Sequence, residues 1–529
     1  MWRLIFCSTK IPIVLDIDLA IWYNNHMKNL TEESIMKLSK LLCLVLALLM
    51  TLACFAACGG AADETTVPKA NSATEDETGR NAVKDTVPTD LNFKGGTVTF
   101  FVRDDNDLWK NEIDVEKTTN NTLYDAIYYR NAAVEERLGV EINQIGQAGT
   151  FNVSDAWNTT LRNAVLTKSG DYDAAAIYAS TGSALAVEGL YYNVLDIEHI
   201  NLDKPWWNQT IREELTLFDT LYYLAGDIAI TETAGGVCFF FNKNLFTELY
   251  QTQNIDLYKM VEEQKWTIDV LHELVANAWI DENSDGIISD GDTVGYSAGA
   301  SSDSDGSMDA WVPAMGISVT KMIDGYPEFT FYDEHTVEAF EKLKALYRAN
   351  PGALCADGRT QTSFAIGNQL FLRGNLNSGE GLRNMQDDYG VLPMPKFDEV
   401  QDDYHTTFAN VASLIVVLST CQETEKVGAT LELMAAEAYK QVTPAYFEIC
   451  LQGKYSDAPE DAAMYDRILN GFVFSFGFCY STKSLEGIGG LFRNIDKDLA
   501  QTYEANKVKY QTALEALIDK LDEVSFMMG

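Results

Sequence analysis

Between residues 96 and 179 short runs with strand character alternate with amphipathic helical ones, and no other feature constrains the fold as much. "GTVTFFV" (96–102) reads as a strand. "TLYDAIYYRNAAVEERLG" (122–139) reads as a helix, with Leu123, Ala126, Ile127, Ala132, Val134 and Leu138 near one face. "VEINQI" (140–145) is a second strand, "VSDAWNTTLRNAVLTK" (153–168) a helix capped by Ser154, and "YDAAAIYA" (172–179) a buried strand. Strand following helix implies an α/β fold, with parallel strands covered on both faces. Beyond residue 240 longer helices are expected at 267–279, 335–349, 425–439 and 499–524. Shorter strands such as "GVCFFFNK" (236–243) and "ASLIVVLS" (412–419) lie between them.

At 529 residues the chain exceeds what one core holds, so more than one lobe is expected. A content of 47% hydrophobic and 11% aromatic residues is far from a disordered composition, so the body folds. The formal net charge of -39 excludes a nucleic-acid binder, which needs clustered Lys and Arg, and disfavours adsorption on anionic lipid.

From Met36 the chain reads "MKLSKLLCLVLALLMTLACFAACGG": two lysines, an apolar stretch from Leu41 to Leu52, then small residues before a cysteine. This is a secretory signal over 36–57, its apolar core short of the roughly 20 residues of a membrane span. Phe55, Ala56 and Ala57 before Cys58, with Gly59 and Gly60 after it, resemble a bacterial lipoprotein cleavage box. That resemblance implies lipidation of Cys58, with Cys54 a second candidate. An uncleaved membrane anchor is the alternative. Both place the remainder outside the cytoplasm. Residues 1–35 carry Asp16, Asp18, Glu32 and Glu33, unlike the start of a signal, and read as an upstream extension from a misassigned start. Residues 58–94 are rich in Thr, Asp, Glu, Ala and Pro and read as a disordered tether. Five cysteines follow Cys58 with no CxxC spacing, which suits buried free thiols better than a zinc site or a disulfide framework.

"DENSDGIISDGD" (281–292) fills the oxygen positions of an EF-hand loop: Asp281, Asn283, Asp285, the Ile287 carbonyl, Ser289 and Asp292, with Gly286 at the sharp turn. Asp292 replaces the usual Glu, and "TVGYSAGA" after it reads as strand and loop, so the second EF helix is missing. A structural Ca2+ brace is expected here, and a merely acidic turn is the alternative.

Signals for catalysis are sparse. "HELVAN" (272–277) approaches HExxH but has Ala276 where the second histidine belongs, so it reads as a surface helix. No GxSxG elbow and no Walker A loop occurs. Nothing singles out a carboxylate pair for glycoside hydrolysis. A non-enzyme is expected.

The lipobox, the acidic tether, the α/β alternation, "WW" followed by "LYYLAGDIAI", "FFFNKNLFTE", a Trp-Thr helix start running into the acidic loop, "FLRGNLNSGEGLRNMQDDYGVLPMPKFDE" (371–399) and "VTPAYFEICLQGKYSD" (442–457) together resemble extracellular solute-binding proteins of ABC importers. The likeness is to the oligosaccharide-binding group that includes the maltodextrin-binding proteins, and it covers roughly residues 95–529. It implies a two-lobed periplasmic-binding-protein-like fold of type II, with a cleft between lobes joined by crossover strands and closing by hinge motion. Lobe 1 would be 95–232 plus 371–422, and lobe 2 would be 236–368 plus 425–529. The hinge would fall at "TETAGG" (231–236), where Gly235 and Gly236 permit backbone angles that other residues resist. Sugar recognition takes flat apolar faces together with carboxylates or amides. Mapped onto this chain, the ligand-binding candidates are Asp104, Asp105, Tyr178, Ser180, Trp206, Trp207, Asp227, Glu232, Trp311 and Asn375. For the tryptophans and the Asp104–Asp105 pair, core packing and a solvated loop respectively are the alternatives. The implied function is capture of an extracellular oligosaccharide by a lipid-anchored monomer, followed by delivery to permease subunits in the membrane. A surface carbohydrate sensor or adhesin, or a secreted glycan-acting enzyme, shares the same sequence features.

Overall fold

The computed structural model describes residues 79–298, 306–355, 361–407, 412–451 and 459–528. The upstream extension, the signal segment, Cys54 and Cys58 lie outside the described residues. Among the described residues no helix is long and apolar enough to cross a membrane.

Two sheets organise the rest. In the first, β1 (Thr97–Arg103) runs parallel to β2 (Glu141–Gln147) and to β3 (Ala174–Tyr178), and β11 (Ser413–Val417) joins β3 antiparallel. Every residue of β3 and of β11 is buried, the signature of strands covered on both faces. Helices follow the strands as expected. The short helix α1 (Asp107–Asn111) begins directly after β1, capped by Asn106. α2 (Thr122–Leu138) starts at Asn121, whose side chain accepts from the N–H groups of Leu123 and Tyr124. It stops at Gly139, which takes the left-handed conformation and bonds back to Glu135. α3 (Ser154–Thr167) differs from expectation: Ser154 is its first helical residue, and its hydroxyl bonds the Phe151 carbonyl instead of capping the turn. β11 also departs from the all-parallel expectation, because it enters the sheet after a return from the other lobe.

In the second sheet the order is β10 (Tyr389–Pro393), β4 (Val237–Asn242), β9 (Gln369–Asn375), β5 (Val294–Ala298) and β8 (Ala353–Cys355). β4 is antiparallel to both of its neighbours, and β5, β8 and β9 are mutually parallel. A two-stranded ribbon of β6 (Thr320–Ile323) and β7 (Tyr326–Phe329) stands apart. The core of this half is aromatic: the ring of Phe239 lies 5.8 Å from those of Tyr296 and Trp311.

The chain passes from the first sheet to the second through α4 (Ile230–Ala234). α5 (Ile268–Ala276), capped by Thr267, and α6 (Glu334–Arg348), capped by Asp333, follow the expected spans. The lobe boundaries differ from those expected. Residues 369–393 pair with β4 and β5, so they belong to the second sheet. Conversely α8 (Thr424–Glu437) packs on α2 and β1, because its buried residues run without a break from Lys426 to Ala436 and need cover on every side. The C-terminal helix α9 (Leu499–Met528) touches the 183–188 turn of the first half and α6 of the second.

The expected tether also ends earlier. Residues 79–94 lie on the first lobe, where Val87 is buried and Leu91 and Phe93 pack on the core. Arg137 holds Asp85 through both carboxylate oxygens. Cys421 and Cys479 are buried free thiols, Cys355 is a half-buried one, and Cys238 is buried in β4.

Candidate functional site

β1 and β3 end, and β11 begins, on one edge of the first sheet, and the residues there form a buried charged cluster. Arg103 closes β1 with its guanidinium stacked 4.3 Å from the Trp109 ring and 4.9 Å from that of Tyr178. It donates to the Ser413 hydroxyl at 2.7 Å, and Ser413 in turn donates to Glu112. Thr231, on the crossover helix α4, donates to the other Glu112 oxygen at 2.6 Å and accepts from the Ser413 N–H at 3.0 Å. Burial pushes the Arg103 guanidinium down to about 10, while burial pushes the Glu112 carboxyl up against the pull of Arg103. Beneath them buried Arg130 binds the carbonyls of Glu112, Ile113 and Ile228. The crossover is thereby bonded to the end of the first sheet.

Beside this cluster opens a cleft of about 800 Å³. One wall comes from the first lobe: Asn106 and Trp109 after β1, and Asn120, Asn121 and Tyr124 at the start of α2. The floor includes Thr231 and Gly235 of the crossover. The opposite wall comes from the end of β9 and from α7 (Ser378–Leu382) with the residue after it: Asn375, Asn377, Glu380 and Arg383. Asn106 and Asn121 use their side-chain oxygens as helix caps, which leaves the amide NH2 groups as donors. Among the described residues, the side chains of Asn120, Asn375, Asn377, Glu380 and Arg383 have no hydrogen-bond or ion-pair partner within the chain. Five amides, two carboxylates (Asp107 and Glu380), a guanidinium and two aromatic rings converge on one cavity from both sides of a crossover. Such a surface can both donate hydrogen bonds to and accept them from a small polar solute.

Of the residues expected in the site, Asn375 lines this cleft. Asp104 and Asp105 are exposed at the end of β1 just outside it, Asp105 accepting from the Gly149 N–H at 2.6 Å. Tyr178, whose ring stacks on the Arg103 guanidinium, and Ser180 are buried and do not line this cleft. The three tryptophans are corrections. Trp206 and Trp311 are 0% exposed and Trp207 is 3% exposed. The Trp207 indole donates to Glu432 at 2.8 Å, and that of Trp311 to the Tyr347 hydroxyl at 3.2 Å. Core burial of rings this large outweighs their value as a sugar platform. Asp227 accepts from Thr443 and lies 3.8 Å from Arg80, while Glu232 accepts from Asn208 at 2.7 Å. Both face the first lobe's interior, away from the cleft lining.

The hinge glycines have a different reason from the one expected. Gly235 has φ -81, and Gly236 is not among the residues of positive φ. A Cβ on Gly236 would stand 3.1 Å from Phe472 and 3.2 Å from the Thr233 carbonyl, so close packing explains it. Arg103, Trp109 and Arg383 escaped the sequence reading. The amide-rich runs "TTNNT" (118–122) and "GNLNSGE" (374–380) were the available signal.

The acidic loop is folded as its pattern implies. Asp281 accepts from the N–H groups of Asp285 and Gly286, and Asp285 from that of Ile287. Asp292 accepts from those of Ser289 and Glu282, and Gly286 has φ +75. The residues match a calcium loop in kind and order, while among the described residues no three of its carboxylates bring oxygens within 4.8 Å of one another.

No family model matches the sequence, and no curated protein does. Solved structures do. A cyclo/maltodextrin-binding protein complexed with maltotetraose is 12% identical, with a TM-score of 0.50 over 81% of this chain and 96% of its own. UgpB from Mycobacterium tuberculosis in complex with glycerophosphocholine is 13% identical, with a TM-score of 0.50 over 80% of this chain and 99% of its own. At these identities the likeness speaks for architecture alone, and the chain shares the two-lobed, periplasmic-binding-protein-like α/β fold of these two proteins.

Proposed function

We propose that the chain is the substrate-binding lipoprotein of an ABC importer, capturing an extracellular oligosaccharide by closure of its lobes and delivering it to a membrane permease. The observation that carries this reading is the amide-lined cleft whose two walls belong to different sheets and meet at the crossover. A solute bonded to both walls favours the closed arrangement by its differential contacts. The fold neighbours point the same way, one holding maltotetraose and the other glycerophosphocholine. The dense negative charge favours a neutral ligand over an anionic one. Anchoring through Cys58 on the outer face of the membrane rests on the sequence alone, and a diacyl anchor would hold firmly.

A thermal-shift panel on the full chain, spanning maltooligosaccharides, other neutral glycans, sugar alcohols and glycerophosphocholine, tests the assignment. A neutral oligosaccharide is expected to raise the melting temperature by several degrees without being consumed. A response to glycerophosphocholine alone would move the substrate class, and release of shorter sugars would point to the enzyme instead.

The Asp281–Asp292 loop is proposed as a calcium brace of the second lobe. Asp281, Asn283, Asp285, the Ile287 carbonyl, Ser289 and Asp292 would hold the ion, which would neutralise the repulsion among the carboxylates. Chelation is expected to lower the melting temperature and Ca2+ to restore it; an unchanged melt with chelator would leave an acidic turn.

A further inference from the structure

A second set of converging donors lies away from the cleft, where residues 197–201 meet the start of α8. Glu198, His199 and Glu425 each bring one ligand atom to within 4.8 Å of the others, the one such set of three found among the described residues. None of them lines the solute cleft.

The fold builds this cluster. His199 sits in the left-handed region at φ +74. Gly428 on α8 allows the preceding backbone to come close, since a Cβ there would stand 2.3 Å from the Glu198 carbonyl oxygen. Two residues on, the Asn201 N–H is held by Glu432 at 3.1 Å. The imidazole is 15% exposed, and its Nε2 is shielded from solvent with no hydrogen-bond partner. That atom stands 3.5 Å from Glu425 Oε1. One imidazole nitrogen and two carboxylates form a donor set of the kind that holds a divalent ion.

We propose that this cluster is a binding site for a divalent transition ion of zinc's type, held by His199 Nε2 and one oxygen each from Glu198 and Glu425. One imidazole and two carboxylates suit Zn2+, whereas Ca2+ takes six to eight oxygens and has no use for the imidazole. Tetrahedral zinc with ligands at about 2.0 to 2.1 Å needs donor separations of about 3.3 Å. Glu198 and Glu425 are exposed and free to rotate that far. A groove of about 420 Å³, lined by His199, Asn201, Asp203 and Arg212 among others, opens beside the ring. The ion would tie the 197–201 segment to α8 and so brace the first lobe without touching the solute.

Calorimetric titration of the metal-stripped full chain with Zn2+ at pH 7.5 tests the site. One equivalent is expected to bind and to raise the melting temperature. His199→Asn, which tolerates the left-handed backbone, and Glu425→Gln should each weaken binding at least tenfold and abolish the thermal shift. Because Glu425 is 53% exposed, the second variant decides the matter if the first fails to fold. Zn2+ uptake unchanged in both variants overturns the proposal. So does a wild-type chain that takes up no Zn2+. Ca2+ binding here as tightly as Zn2+ would overturn the class of ion.

Discussion

Glu112→Ala is expected to lower the stability of the chain by about 2 to 4 kcal/mol, the cost of leaving the buried Ser413 and Thr231 hydroxyl donors without their acceptor. Glu112 and Arg103 are each 1% exposed, and the Glu112 carboxylate also accepts from Thr231 and Ser413. Its removal leaves two buried hydroxyl donors short of an acceptor and takes a compensating negative charge from beside Arg103. Glu112→Gln keeps an acceptor oxygen and should cost less. The double variant Glu112→Ala with Arg103→Met should recover part of the loss, since removing both charges is milder than removing one. Urea denaturation checks this order. Equal stability of Glu112→Ala and the parent would mean that the crossover is not held by this cluster. Because Thr231 lies on α4, the same variants should also loosen the angle between the two lobes.

Stability should fall as pH rises from about 5 to about 7.5. Burial pushes Glu232 up to about 7, Glu432 up to about 7 and Asp227 up to about 6. All three bind protons more tightly folded than unfolded. Their contribution is therefore fully present below the unfolded carboxylate range and is lost as pH climbs through the folded values. For Glu232, a rise from 4.5 to about 7 corresponds to about 3 kcal/mol at the upper limit. Asp85 works in the opposite sense at lower pH: burial pushes it up, but the hydrogen bond and charge of Arg137 outweigh that and hold it down. Glu232→Gln keeps an acceptor for Asn208 and should flatten the decline. A melting temperature that climbs between pH 5 and 7.5 would contradict the reading.

The elements were legible in the sequence where period and caps agreed. The 122–138 helix carries its Asn cap, its apolar stripe and its terminal glycine in plain view, and "DAAAIY" announces a strand buried on both faces. Strand partners were not legible, because pairing is decided by neighbours distant in the chain. Residues 369–393 read equally well in either lobe, and only the ladder to β4 places them. The site was less legible still. Tryptophan serves as sugar platform and as core filler alike, and all three candidates fill the core. Asn375 was found because it follows a strand. Asn377, Glu380 and Arg383 were missed because an exposed polar residue looks the same in the sequence whether it faces a cleft or open water. The cluster of Arg103 and Glu112 hid for another reason: its members Ser413 and Arg103 are 310 positions apart.

The central claim is that the amides at the end of β9 bind a neutral oligosaccharide in the cleft. Calorimetric titration of the full chain and of an Asn375→Ala, Asn377→Ala variant, starting with maltotetraose and continuing with the strongest hit of the panel, tests it most directly. Each lost hydrogen bond to a hydroxyl is worth about 1 kcal/mol, so the pair should weaken binding roughly thirtyfold. The melting temperature of the unliganded variant should not move, because neither side chain has a partner within the chain. One-to-one binding by the parent with that loss in the variant is the predicted result. Equal affinity of the two proteins, or no binding of any oligosaccharide by the parent, would contradict it.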